Sequence, residues 1–405
     1  MTVYILATAL TCFIVWFGER QRLKWPWRIC AALPLIIVSA IRWDVGTDFY
    51  FTYYPASLAF DCLKGGSSSD MVDAAFGPLF ERLRSPVFDT VPKLYANYLE
   101  VIRNMGFGYR CVLEVSWWFG GGIRTHMAFF SILIGALVFI AIYRQSKWPA
   151  LVAFLYVTTS NYFLSLNIVR QYLAIALGLV AVEFVLRRKP LAFFACVLVG
   201  AIFHPSALVL LPLYFIGRIE LRFWWCALLV LMAVVAAPVA APAAAWCFET
   251  LGMSHYADYF HSAFQTEGFE WMFFAINAAF LVFGGWYWDR AKKSSPYFVI
   301  WYNMTVIGTV FLALSGSFPL MKRINYYFAA PQFLLLPEIL LAESRPAVRK
   351  VLTALVVVGF TFETAVAVWV FNKNEPLPYG ITCRPDHAWP RVPYASGPFG
   401  WQLPK

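Results

Sequence analysis

HMAFFSILIGALVFIAIY, residues 126–143, carries no formal charge and is followed by Arg144 and Lys147. An apolar run of about 18 residues or more crosses the hydrocarbon core of a bilayer as a helix, whereas a helix on a soluble domain keeps a polar stripe. Working outward, similar runs occur at 3–18, 29–41, 149–165, 168–186, 190–203, 205–217, 223–243, 270–288, 297–315, 324–342 and 351–371. The whole chain is 61% apolar and 13% charged, against roughly 25% charge in a soluble domain. These features exclude a soluble globular domain, a disordered chain and a disulfide scaffold. They predict an all-α polytopic integral membrane protein of about ten to twelve spans, since several runs are short enough to need tilts or kinks.

The net charge of +10 comes from Lys and Arg placed in short breaks between apolar runs. It therefore does not form the basic face of a nucleic-acid binder, and no nucleic-acid partner is expected. With Met1 outside, the inner segments 19–28, 144–148, 187–189, 218–222, 289–296 and 343–350 are all short and basic, as the positive-inside rule requires. The first run has no basic stretch before it and a basic one after it, so it reads as a stop-transfer span instead of a cleavable signal. Both termini are then outside. The transmembrane domain is 1–371, with an external loop at 42–125, and 372–405 is a Pro-rich tail expected to be extended and irregular. In the loop, spacing over 93–119 predicts an amphipathic helix on the outer surface. Gly120–Gly122 gives a flexible entry to the next span. Cysteines are scattered, and no metal-ligand spacing appears, so neither metal nor cofactor is assigned.

The chemistry is carried by costly polar residues at the outer ends of spans. Arg42 opens RWDVGTD, Arg170 sits in NIVRQ, Lys322 and Arg323 lead KRINYY, and His204 lies in FHPSA. A cation at the membrane rim is expensive unless paired or solvated, which marks it as a functional candidate. Several such cations on one face suit an anion at headgroup depth, with Arg offering a two-pronged fork to phosphate. Asn167 and Gln171, one turn apart, are expected on one helix side with Arg170 between them. Each residue also has a plainer reading. Arg42 snorkels or pairs with Asp44 or Asp48, Lys322-Arg323 anchor headgroups, and His204 is a hydrogen-bonded structural histidine.

These four clusters, in this order, resemble the EpsG family, a Wzy-like group of bacterial polysaccharide polymerases. The resemblance rests on Arg42 with Gly46-Thr47-Asp48, Asn167 with Arg170-Gln171, His204 with Ser206-Ala207, and Arg323 with Tyr326-Tyr327-Phe328, and spans 1–343. It departs from the family pattern at Gly108-Tyr109, which Phe107 precedes in place of an acid. The resemblance implies a GT-C-like fold in the bacterial inner membrane with its site facing outside. It implies a glycosyltransferase that joins undecaprenyl-pyrophosphate-linked oligosaccharide units and releases undecaprenyl pyrophosphate, with membrane lipid and a chain-length-regulating co-polymerase as partners.

On that reading Arg170, Arg323, Arg42 and Lys322 hold the pyrophosphate. His204, then Asp48, then Glu114 are the candidates for the base that activates the attacking hydroxyl. Asn167, Gln171, Thr47, Ser206, Tyr326 and Tyr53 support the substrate. The competing classes are a transporter or flippase of a lipid-linked oligosaccharide, which requires a polar path through the midplane, and a ligase making a single transfer. The polymerase reading requires that the four clusters meet.

Overall fold

In the computed structural model, residues 1–23, 25–43, 45, 46, 48–64, 105–250, 271–315, 320–377 and 379–381 are described. Thr47, part of the expected surface helix and the tail beyond 381 lie outside them. The described chain is helical, with one isolated bridge, Trp43 to Gly380.

The helices in chain order are α1 (Thr2–Arg20), α2 (Trp25–Ala40), α3 (Tyr54–Lys64), α4 (Phe107–Trp117), α5 (Gly122–Gln145), α6 (Pro149–Thr158), α7 (Asn161–Asn167), α8 (Val169–Leu186) and α9 (Pro190–Phe203). After a 3-10 turn at Pro205–Leu210 come α10 (Leu213–Ile216), α11 (Phe223–Thr250), α12 (Trp271–Trp286), α13 (Trp288–Ser294), α14 (Phe298–Ser315), α15 (Leu320–Ala329), α16 (Gln332–Leu341) and α17 (Pro346–Ala365). Every apolar run found in the sequence is helical, and the protein is a polytopic membrane protein. Among the described residues, six helices are long and apolar enough to cross a bilayer, and two bent pairs raise the number to eight. The remaining runs form shorter helices, which is why a reading by hydropathy reaches a larger number. Breaks have local causes: Ser160 adopts a left-handed φ of 61° between α6 and α7, and Pro205 drives His204 into extended backbone at the end of α9.

Helices α8 and α14 form the centre, each with 72% of its 18-residue apolar stretch buried, whereas α11 buries only 11% of its own. Trp224, Val235 and Val239 on α11, and Leu355, Val358 and Phe362 on α17, point outward. In a water-soluble protein such faces are a liability, and against lipid they are at no disadvantage. One end of the bundle gathers the basic breaks. The buried Glu183 carboxylate pairs with Arg144 at 3.3 Å and Arg187 at 2.5 Å, and Lys292 pairs with Glu220 at 2.5 Å.

Loop and tail segments close the other end. Helix α4 buries Tyr109, Val112 and Leu113 and packs on α5 and α9. The three glycines before α5 all have positive φ, and the Gly122 amide donates to Asp61 at 2.9 Å. The entry to α5 is therefore a built turn and not the loose hinge that its composition suggests. The start of the tail is irregular, as expected, but it is packed. Tyr4 donates to the carbonyl of Pro376 at 2.9 Å, Tyr379 donates to Val38 at 2.9 Å, and the Trp43 amide donates to Gly380 at 2.7 Å.

Arg42 is 2% exposed. Its guanidinium donates to the carbonyls of Ser39 and Leu166 (3.1 Å for the latter), to the Ser39 hydroxyl at 3.0 Å, and toward Ser131 and Met127 at 3.4 Å. It thus ties α2, α5 and α7 together. Arg42→Ala leaves a void and removes the donor from two carbonyls. The expected cost is about 3 kcal/mol, seen as a lower thermal midpoint of the detergent-solubilised protein. An unchanged midpoint refutes the pin.

Candidate active site

The end of the bundle opposite the basic breaks brings together members of all four sequence clusters, Arg42 excepted. The chain enters it from α7, which stops at Asn167. Ile168 then takes φ −88° and ψ 54°, and α8 starts at Val169. This break separates two residues that the spacing placed on one helix side. Asn167, on α7, accepts the Asp48 amide at 3.0 Å and donates to Asn374 at 3.5 Å. Gln171, on α8, donates to the carbonyl of Arg323 at 2.7 Å. Arg170, one residue from Gln171, is thereby set beside the start of α15, where Arg323 emerges exposed.

Asp48 is placed by a tight turn. Gly46 has φ +92°, and a Cβ there would meet the Asn167 Cα at 3.0 Å and the Leu166 carbonyl at 3.1 Å. Gly46→Ala is expected to cost about 1–2 kcal/mol through the left-handed backbone alone. It should also displace Asp48, so that activity falls by more than stability does. Measuring thermal midpoint and turnover on one preparation checks this, and equal activity refutes the positioning.

Arg170 is half-buried. Its amide donates to the Tyr53 hydroxyl at 3.3 Å, and its guanidinium donates to the Met105 carbonyl at 2.9 Å. The guanidinium also lies 6.0 Å from the Tyr109 ring centre. The Nε is buried with no hydrogen-bond partner among the described residues. Tyr53 is therefore a buried strut under Arg170 and not an open sugar platform; burial pushes its hydroxyl up to about 12, with Asp48 adding to the effect.

The electrostatics join the clusters. Burial raises the proton affinity of the Asp48 carboxyl, and Arg323 and then Arg170 oppose that rise. Burial and the same two arginines lower His204, in the break after α9, to about 4. Asp48 and His204 thus both sit in the field of Arg170 and Arg323. His204 Nδ1 is 2.6 Å from the Ser206 hydroxyl, which is 2.9 Å from the Tyr327 hydroxyl on α15.

Not every candidate joins this group. Arg42 was expected at the pyrophosphate, but its burial and its bonds to α2, α5 and α7 make it an internal tie instead. Glu114 pairs with Lys64 at 2.8 Å on the exposed side of α4, so its carboxylate already has a cation. Lys322 and Tyr326 line a cavity beyond Arg323. Sequence reasoning passed over Tyr327, Tyr109, Met105 and Asn374. The first two lie in motifs that were quoted, whereas nothing in the sequence marks a backbone carbonyl or a tail asparagine as part of a site. Among the described residues no three His, Cys, Asp or Glu side chains gather as a metal site would require.

A basic pair beside a half-buried carboxylate and a neutral imidazole at one end of a membrane bundle is equipped to hold an anionic leaving group and take a proton. Searches of the curated proteins and of the solved structures return no match. The sequence model of the EpsG family matches residues 25–381, including the stretch 372–381 that packs on the bundle, and the chain therefore belongs to the EpsG family, a Wzy-like family of polysaccharide polymerases.

Proposed function

We propose that this protein is a membrane-embedded glycosyltransferase that polymerises undecaprenyl-pyrophosphate-linked oligosaccharide units at the outer face of the bacterial inner membrane. The observation that carries the reading is the convergence of Arg170 from α8 and Arg323 from α15 on Asp48 and His204. The basic breaks at the other end of the bundle support an outward-facing site through the positive-inside rule.

The transfer needs one bond made and one broken. The hydroxyl of the incoming unit attacks the anomeric carbon of the chain held on its lipid carrier, and the bond from that carbon to the pyrophosphate oxygen breaks. Undecaprenyl pyrophosphate leaves with the electron pair, its new negative charge facing Arg170 and Arg323. The hydroxyl proton passes to a base within hydrogen-bond reach. Asp48 suits that task better than His204. Burial makes the Asp48 carboxylate a stronger base against the opposing pull of Arg323 and Arg170, whereas burial and then the same arginines all make the imidazole a weaker one. His204 is then a neutral partner of Ser206, orienting that hydroxyl and Tyr327. A co-polymerase that sets chain length belongs to the same proposal.

The test uses purified protein with an undecaprenyl-pyrophosphate-linked repeat unit, following product size and freed carrier by mass spectrometry. A ladder of multiples with equimolar carrier release is expected. Intact substrate, or a single transfer with no ladder, refutes polymerisation and favours transport or ligation.

A further inference from the structure

Beyond Arg323 a cavity of about 80 Å³ opens among α12, α14, α15, α17 and the break between α6 and α7. It shares a wall with the candidate active site. Asn374, in its lining, holds Asn167, and Asn167 holds the Asp48 amide. The cavity's lining is mostly apolar with a few polar groups set into it, among them Asn277, Gln332 and Glu363, as in a ligand pocket.

Its polar groups are placed. Gln332 donates to the side-chain carbonyl of Asn277 at 2.6 Å, and Asn277 in turn donates to Phe273 at 2.8 Å. This chain fixes both amides. The Oε2 of Glu363 is buried and has no hydrogen-bond partner among the described residues. A buried carboxylate oxygen without a donor is costly, and it needs an occupant that donates. The rings of Tyr326 and Phe360 complete the wall.

Charge and shape together select the occupant. A hydrocarbon tail would leave the Glu363 carboxylate oxygen facing it without a donor. A bare anion would meet the Glu363 carboxylate, and a bare cation would meet the ammonium groups of Lys322 and Lys373. A sugar ring satisfies the whole lining. Its hydroxyls donate to the carboxylate and exchange hydrogen bonds with the amides, and its C–H face packs on an aromatic ring.

We propose that this cavity is the acceptor subsite, holding the terminal sugar of the incoming repeat unit so that its nucleophilic hydroxyl faces Asp48. The inference rests on the polymerase reading and adds to it the place of the second substrate and a specificity role for Glu363. Glu363 grips hydroxyls of the acceptor, whereas Arg170 and Arg323 grip the carrier of the donor.

The experiment uses full-length purified protein and two separate probes: the repeat-unit oligosaccharide cleaved from its lipid, and geranylgeranyl pyrophosphate, which carries no sugar. Binding of each is measured by calorimetry on wild type, Glu363→Gln and Ala329→Phe, the last filling the cavity from α15. Expected is at least a tenfold loss of oligosaccharide affinity in both variants, with geranylgeranyl pyrophosphate affinity within twofold of wild type and a ladder that is shortened or lost. If Ala329→Phe loses both probes, it has disturbed the fold, and the isosteric Glu363→Gln decides alone. Wild-type oligosaccharide affinity in Glu363→Gln, with a normal ladder, overturns the subsite while leaving the polymerase standing. No ladder from wild type overturns the polymerase reading itself and the acceptor role with it.

Discussion

Arg170→Ala is expected to abolish the polymer ladder while leaving a folded protein. Removing one preorganised donor from a developing negative charge costs on the order of 10²–10³ in rate, and Arg170 faces the leaving group with a fork whose Nε has no competing partner among the described residues. Arg170→Lys is expected to recover little. A lysine supplies a point charge but neither the planar fork nor the geometry that reaches the Met105 carbonyl at 2.9 Å. Arg323, exposed at the start of α15, works in a wetter setting, so Arg323→Ala should cost less. The check is single-turnover release of undecaprenyl pyrophosphate at matched protein concentration, alongside the thermal midpoint. Release by Arg170→Ala within threefold of wild type would remove Arg170 from the site.

The second large effect concerns Asp48. If its carboxylate takes the hydroxyl proton, Asp48→Asn removes the acceptor and slows transfer by about 10²–10⁴. The pH dependence follows with its sign. Burial raises the Asp48 carboxyl above the ordinary aspartate value, so the active carboxylate is lost as pH falls through that raised value. The acid limb of kcat/KM should therefore lie above the usual aspartate range. Arg323 is the largest charge holding the carboxyl down, so Arg323→Gln should move that limb to higher pH in addition to slowing the reaction. His204, lowered to about 4, is neutral throughout the working range, and His204→Gln should leave the limb where it is. A limb that follows His204 and ignores Arg323 would reverse the assignment.

The helices were legible because a bilayer demands long apolar runs, but the shorter runs became helices that carried the number read by hydropathy above the six to eight long enough to cross among the described residues. The outer-face clusters were legible for a related reason: polar groups at the rim are conspicuous against 61% apolar sequence. What the sequence conceals is partnership. Arg42 looks like Arg170 in the primary structure, yet its partners include Ser131 and the Leu166 carbonyl, 89 and 124 positions away. The carbonyl has no signature at all. The break at Ile168 is only half hidden: the apolar runs end at 165 and resume at 168, yet the spacing of Asn167 and Gln171 reads as one helix side, and only the tertiary setting turns Asn167 toward Asp48. Glu363, Asn277 and Gln332 were single polar residues in apolar runs. They become a surface only when α12, α16 and α17 are brought together.

The stitching of residues 372–381 to the start of the chain has a consequence for assembly. Membrane proteins emerge from the ribosome N-terminus first, so Trp43 and the Asp48 turn are made long before Gly380 exists. Trp43 gains its pairing with Gly380, and the Gly46 amide its acceptor in the Glu375 carbonyl at 3.1 Å, only after α17 has crossed. The enzyme therefore stays incomplete through nearly the whole of its synthesis. A chain stalled before α17 has crossed would have every helix that bears a proposed site residue and still lack the clasp that sets Asp48 in place. Translation itself thus delays completion of the proposed site until α17 is in place.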